Sequence, residues 1–183
     1  MLKAKKGRLL ISEPSLSDNF FFKSVVLLTH HNDEESIGLI LNHPTKINLN
    51  EILNDIPLSD LPIYIGGPVE KQSLHFIHTL GSIIPDSKQI IDGIYFGGDF
   101  ETVIQLMHDK KITKNEIRFF VGYSGWEAEQ LNNEIRDDAW IVQAAKNELC
   151  MNYSTPKLWS DIIKTKKMEH AIWANMPKNP SLN

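Results

Sequence analysis

A lone cysteine, Cys150, in 183 residues leaves no partner for an internal disulfide and too few thiolates for a thiolate metal site, as in a reducing compartment. An excess of positive charge is also missing. Nineteen Lys and Arg face 23 Asp and Glu, a net charge of −4, so no global field attracts nucleic acid or an anionic membrane. The basic density lies in Lys3, Lys5 and Lys6 and in Lys164, Lys166 and Lys167. Clusters this short suit solvated tails and helix faces. No apolar run approaches the roughly 18–20 residues needed to span a bilayer. The run after the basic start is about four residues, too short for a signal-peptide core. GxGxxG, GxxxxGK[ST], helix-turn-helix, RNP and zinc-finger signatures are absent as well. These absences lead us to expect a soluble cytoplasmic protein with no cofactor, no membrane association and no specific nucleic-acid binding. Its partner would be an unidentified protein or small molecule.

What is present describes an ordinary globular chain, 42% hydrophobic and 23% charged, long enough for one cored domain over residues 1–183. Short β-branched strings bounded by turn residues predict strands at Arg8–Ser12, Ser24–Thr29, Ile37–Leu41, Pro62–Ile65, Leu74–His78, Gly93–Phe96, Glu116–Val121 and Ala139–Val142. "SVVLL" and "IGLIL" are nearly continuous apolar runs, expected of central strands buried on both faces. Helices are predicted in "DFETVIQLMHDKK" with Asp99 as N-cap, in "SGWEAEQLNNEIR", and over about 155–174, where Thr155 precedes Pro156. Asn48 and Glu51 have capping-box spacing. The tail "MPKNPSLN" reads as irregular. The order implies α+β: a single layered domain with a bulky mixed β-sheet flanked by helices, with a three-layer α/β sandwich as the alternative.

Candidate chemistry begins with Ser124, between two glycines in "GYSGWE". A nucleophile elbow reads G-x-S-x-G, but Trp126 occupies the second glycine's place. Ser124-x-x-Glu127 instead fits a capping box, so Ser124 is expected to start a helix. His30 with His31, and His75 with His78, point to opposite strand faces and lack metal-ligand geometry; they read as strand-end, hydrogen-bonding histidines. Ser24, His31 and a carboxylate sketch a hydrolase that no spacing compels. "YIGGPVE" offers a Gly-Gly-Pro turn whose backbone suits an anion nest only weakly. "YFGGDF" reads as a turn into the Asp99 cap.

In order, "KGRLLISEPSLSDNFFFKSVVLLTHH", "SIGLILNHP", "YIGGPV", "LHFIH", "DGIYFGGD" and "GYSGWEAEQLNNEI" with Trp140 resemble the YqgE/AlgH family of bacterial proteins, over roughly residues 6–142. The resemblance implies a layered α+β domain on a mixed sheet. It implies no defined activity, although members often carry a transcriptional-regulator label. The family pattern falls on Pro14, Asp18, Ser24, His31, Gly38, Asn42, Pro44, Gly66, Gly67, Pro68, His78, Gly122, Tyr123, Gly125, Trp126, Gln130, Leu131 and Glu134. Relatives usually carry alanine at Ser124, which no catalytic serine would survive. An arginine is common at His43, and Glu and Gly at His30 and Glu35. The leading expectation is a non-enzymatic binding or interaction domain. Asn42, Gly66, Gly67, Tyr123 and Trp126 would converge on one face, with Gln130 and Glu134 at its rim. The competing expectation has both aromatics filling the core and the polar pair solvated. No residue is assigned a catalytic or metal-binding role.

Overall fold

The structure, a computed structural model, describes residues 2–13, 20–53, 56, 61–151 and 155–165. Pro14, Asp18, the predicted helix beyond residue 165 and the tail lie outside them. The elements are β1 (Arg8–Ser12), β2 (Val25–His31), β3 (Glu35–Ile40), β4 (Pro44–Asn48), β5 (Pro62–Ile65), β6 (Val69–His78), β7 (Lys88–Ile91), β8 (Ile94–Phe96), α1 (Phe100–His108), β9 (Ile117–Glu127), α2 (Gln130–Arg136), β10 (Trp140–Ala144), α3 (Asn147–Met151) and α4 (Leu158–Lys164). Two 3-10 turns, Leu49–Glu51 and Thr155–Lys157, precede the Ile52 loop and α4. In the first, Glu51 accepts the Asn48 backbone N–H at 2.8 Å, as its spacing predicts.

The strands form one sheet in the order β10-β1-β2-β3-β9-β6-β8-β7, with β4 and β5 joined at β9. Its pairings are antiparallel except β5 with β9, which makes the sheet mixed. The apolar runs of β2 and β3 sit centrally and are buried on both faces, as their composition requires. The sheet curls until its two ends meet. Lys6 Nζ donates to the Gln89 carbonyl at 3.0 Å, and a side chain at Gly7 would strike Ile91.

Three cores result. Inside the curl, Leu27, Leu39, Phe120 and Ile77 pack against Leu158, Trp159, Ile162 and Ile163 of α4. On the far side, Ile63, Phe76 and Phe119 meet Val103 and Met107 of α1, which starts at the predicted Asp99 cap. Outside β1–β3, Trp126 and Trp140 pack with Phe21 and Leu131 of α2. Among the described residues, no helix is long and apolar enough to cross a membrane.

Ser124 does not start a helix. It lies inside β9, which continues to Glu127, and Gly38 pairs with it across the ladder from β3. The local S-x-x-E signal loses to ladder hydrogen bonds that complete β3, a tertiary override of a short-range preference. α2 begins only after Glu129, which takes a left-handed φ of 60°. Two strands were also hidden from the sequence reading. Among the described residues, β4 pairs only with β5, and β7 ends the sheet order. Their polar sequences "PTKIN" and "KQII" suit edges and lack the continuous apolar pattern of inner strands.

Candidate functional site

Gly122, at φ 67°, bends β9 and interrupts its register with β6 between Val69 and Leu74. Before the bend, Phe120 faces the inner core; after it, Tyr123 does, and Trp126 faces outward. The alternation of the strand is thereby inverted. Tyr123 and Trp126, expected on one face, lie on opposite faces of the sheet.

The expected residues therefore separate into distinct settings. Gly66 and Gly67 mark the point where β5 leaves β9 and β3 takes its place. A Cβ at Gly66 would collide with the Gly122 carbonyl, and one at Gly67 with the backbone of Tyr123. The Gly66 carbonyl accepts the Ile40 N–H at 2.9 Å and the Ser124 hydroxyl at 3.0 Å. The double glycine is explained by backbone proximity. On the outer face, Glu134 Oε2 accepts both indole N–H groups, Trp126 at 2.9 Å and Trp140 at 2.8 Å. Its Oε1 accepts from Gln130 Nε2 at 2.9 Å, and Gln130 Oε1 accepts the Glu127 N–H at 3.1 Å. The polar pair that sequence reasoning put at a rim anchors two buried tryptophans.

Asn42 is buried at the α4 end of the curl. Its Oδ1 accepts the Val25 N–H and its Nδ2 donates to the Lys23 carbonyl, both at 2.8 Å. This clamp holds Lys23 at φ 51°, a conformation that costs a non-glycine residue roughly 1–3 kcal/mol. A cavity of about 700 Å³ lies here, lined in part by Lys23, Asn42, His43 and Trp159. Ser24 and His31 bracket β2, roughly 20 Å apart by strand rise, and make no pair. Ser24 Oγ lies 3.2 Å from His43 Nε2, and His31 Nδ1 lies 2.7 Å from Ser36 Oγ. The hydrolase sketched from Ser24 and His31 is not assembled.

The opposite end of the curl opens into a cavity of about 460 Å³. Ile37 and Leu39 of β3, Thr29 of β2, Tyr123, His75 of β6 and Phe96 of β8 line it, with Glu35, His30 and Lys88 also contributing. The rings of His75 and Phe96 are nearly parallel, 24° apart with centroids at 6.0 Å, and Tyr123 meets His75 edge-on at 87° and 5.8 Å. His75 Nε2 is buried and has no hydrogen-bond partner among the described residues. Burial disfavours its charged form and, against the opposing influence of Glu70, holds its pKa below the ordinary histidine value. His30 and Glu35, on the adjacent strands β2 and β3, approach to 3.8 Å.

Of the expected site residues, only Tyr123 lines this mouth cavity. His75 was read as a strand histidine. The available signal was its place in "SLHFIH", where Ile77 shares its face and that face is the inner core. Lys88 and Phe96 were hidden because β7 and the closing of the curl were not legible. His78, by contrast, is a hydrogen-bonding histidine: its Nε2 lies 2.8 Å from the Gly97 carbonyl, and its Nδ1 accepts the Leu80 N–H at 3.1 Å.

The molecule is thus an α+β domain on one curled mixed sheet, with α4 and one cavity at one end and the cavity beside His75 at the other. Residues 9–171 match the AlgH-like family, and the chain belongs to it. It is 37% identical to a UPF0301 protein of Chlorobaculum parvum, over 100% of this chain and 97% of that one. The crystal structure of protein DIP2367 from Corynebacterium diphtheriae superposes with a TM-score of 0.77 at 20% identity, covering 96% of this chain and 94% of that chain. The solution structure of AlgH from Pseudomonas aeruginosa gives 0.73 at 24% identity, covering 90% and 92%. These structures share the fold.

Proposed function

We propose that this chain is a non-enzymatic binding domain that seats a small molecule in the cavity at the mouth of the curled sheet. The observation that supports this best is the cavity itself, a largely apolar hollow walled by the rings of His75, Phe96 and Tyr123 with Ile37 and Leu39. The volume, about 460 Å³, falls within the range of small-molecule sites, and the mouth of a curled sheet is a favoured place for them. The histidine–hydroxyl contacts of Ser24 with His43, His31 with Ser36, and His78 with Ser87 involve residues outside this lining, which favours binding over catalysis. A DNA-binding role would have to overcome a net charge of −4.

Ligand-observed NMR with a library of small metabolites tests the reading, comparing the chain with an Ile37→Phe variant that fills the cavity from a half-buried position. Compounds that bind the original chain should lose binding to the variant while its melting temperature stays close to the original. Equal binding of the same compounds to both proteins would overturn the proposal.

A further inference from the structure

We infer that Gly125 is the position that makes room for a ligand at the mouth cavity, and that the molecule seated over it is a compact, apolar ring compound. This deepens the small-molecule reading above and rests on it.

The first argument is that the backbone does not require a glycine here. Glycine weakens a strand interior, and where it occurs it marks a bulge, a tight bend, or the close approach of another backbone or a ligand. The β3–β9 register runs unbroken from Gly38 beside Ser124 to Glu35 beside Glu127, so position 125 is no bulge. The bend of β9 belongs to Gly122. Nor is a backbone close. Among the described residues, the nearest atoms to a Cβ at position 125 would be ring carbons of Tyr123, at 3.4 and 3.9 Å, and Cγ2 of Val69 at 3.8 Å. These are ordinary contacts. Gly125 is alone among the chain's ten glycines in having neither a positive φ nor a neighbour that a Cβ would strike. Of the causes of a strand glycine, the approach of a ligand is the one left.

The second argument is where a side chain would lie. Alternation along β9 puts position 125 on the face of Tyr123, and the ladder sets it beside Ile37 of β3. Tyr123 and Ile37 both line the cavity and are half-buried, while Gly125 is exposed. The open place above Gly125 therefore extends the cavity to solvent between two of its lining side chains.

The surface around that place decides the class of guest. It consists of Cε2 and Cδ2 of Tyr123, Cγ2 of Val69 and the Ile37 side chain, all of them carbon. Carbon surface leaves water favourably in proportion to its area and without regard to direction. A compact ring with little polar surface gains most from it.

Titrating indole, toluene and cyclohexanol into the full chain, Gly125→Ala and Gly125→Val tests the inference, with affinity read by ligand-observed NMR and stability by urea unfolding. At least one of the three compounds should bind the original chain and show Overhauser contacts to the Gly125 Hα. Its affinity should fall as residue 125 grows, by at least about tenfold for Gly125→Val, whose branched side chain has little freedom to turn aside. Stability should hold or rise, because a strand favours alanine, and valine more strongly, over glycine. A glycine kept for architecture gives the opposite pattern, a loss of stability with affinity retained. That pattern would overturn the inference, as would a Gly125→Val chain that does not fold, the absence of Hα contacts, or no binding by any of the three compounds. The small-molecule reading fails separately. If Ile37→Phe loses library compounds that Gly125→Val still binds, the cavity takes ligands away from Gly125 and only the inference falls; if Ile37→Phe loses none, both fall.

Discussion

Glu134→Ala removes one carboxylate that accepts from two indoles and one amide. Trp140 is fully buried and Trp126 is 4% exposed, so neither orphaned N–H reaches bulk water easily. An unsatisfied buried donor costs about 1–3 kcal/mol. Two of them set a range of about 2–6 kcal/mol. Glu134 is itself half-buried, so its removal admits some water and favours the lower half of that range. We expect a loss of about 2–4 kcal/mol, which for a chain of this size lowers Tm by roughly 4–16 °C. Glu134→Gln keeps one acceptor oxygen and should cost less than half as much. Urea unfolding followed by near-UV circular dichroism reports both stability and the packing of the Trp126–Trp140–Phe21 cluster, whose ring centroids lie 5.3–5.9 Å apart. A Glu134→Ala variant within about 0.5 kcal/mol of the original would refute the clamp and return Gln130 and Glu134 to the solvated face.

Gly67→Ala should destabilise by at least about 2 kcal/mol in the same assay, because its methyl meets the backbone of Tyr123, which cannot yield as a flexible side chain would; a neutral result would undo the architectural account of "YIGGPV". Cys150 is buried, and desolvation pushes its thiol up to about 12, so a disulfide reagent should modify it only at the rate of opening; immediate stoichiometric reaction at neutral pH would contradict its placement. His75 and His78 both titrate below 6.5 in the folded chain because burial disfavours their charge. Below that pH the unfolded chain therefore binds more protons, and stability should fall as pH drops from 6.5 through the folded values. His75→Phe should flatten that slope, and an unchanged slope in urea titrations at several pH values would count against a buried neutral His75.

Most of the inner sheet was legible in the sequence because the runs "RLLIS", "SVVLL" and "IGLIL" carry the apolar density of buried strands, and Asp99 announced α1 by a local cap. Where local signals and sheet pairing conflict, as at Ser124, pairing wins, since β3 needs the β9 backbone as a partner. The grouping of site residues was not legible, because it depends on the Gly122 bend. One positive φ reverses which side chains of β9 face the hollow, and no spacing rule records that reversal. The cavity was missed for a related reason. Its walls come from β2, β3, β6, β8, β9 and the edge strand β7, brought together only when the sheet curls far enough for Lys6 to reach Gln89.

The most direct test of the central claim is where a ligand sits. Methyl and aromatic carbon–proton NMR spectra of the full chain, recorded with the tightest-binding compound from the screen, locate it residue by residue. The account predicts shifts concentrated at Ile37, Leu39, Tyr123, Phe96 and the ring of His75, with ligand-to-protein Overhauser contacts to the same groups. Contacts clustered instead around His43 and Trp159 at the α4 end, or on the Trp126–Trp140 face, with the mouth unchanged, would contradict it.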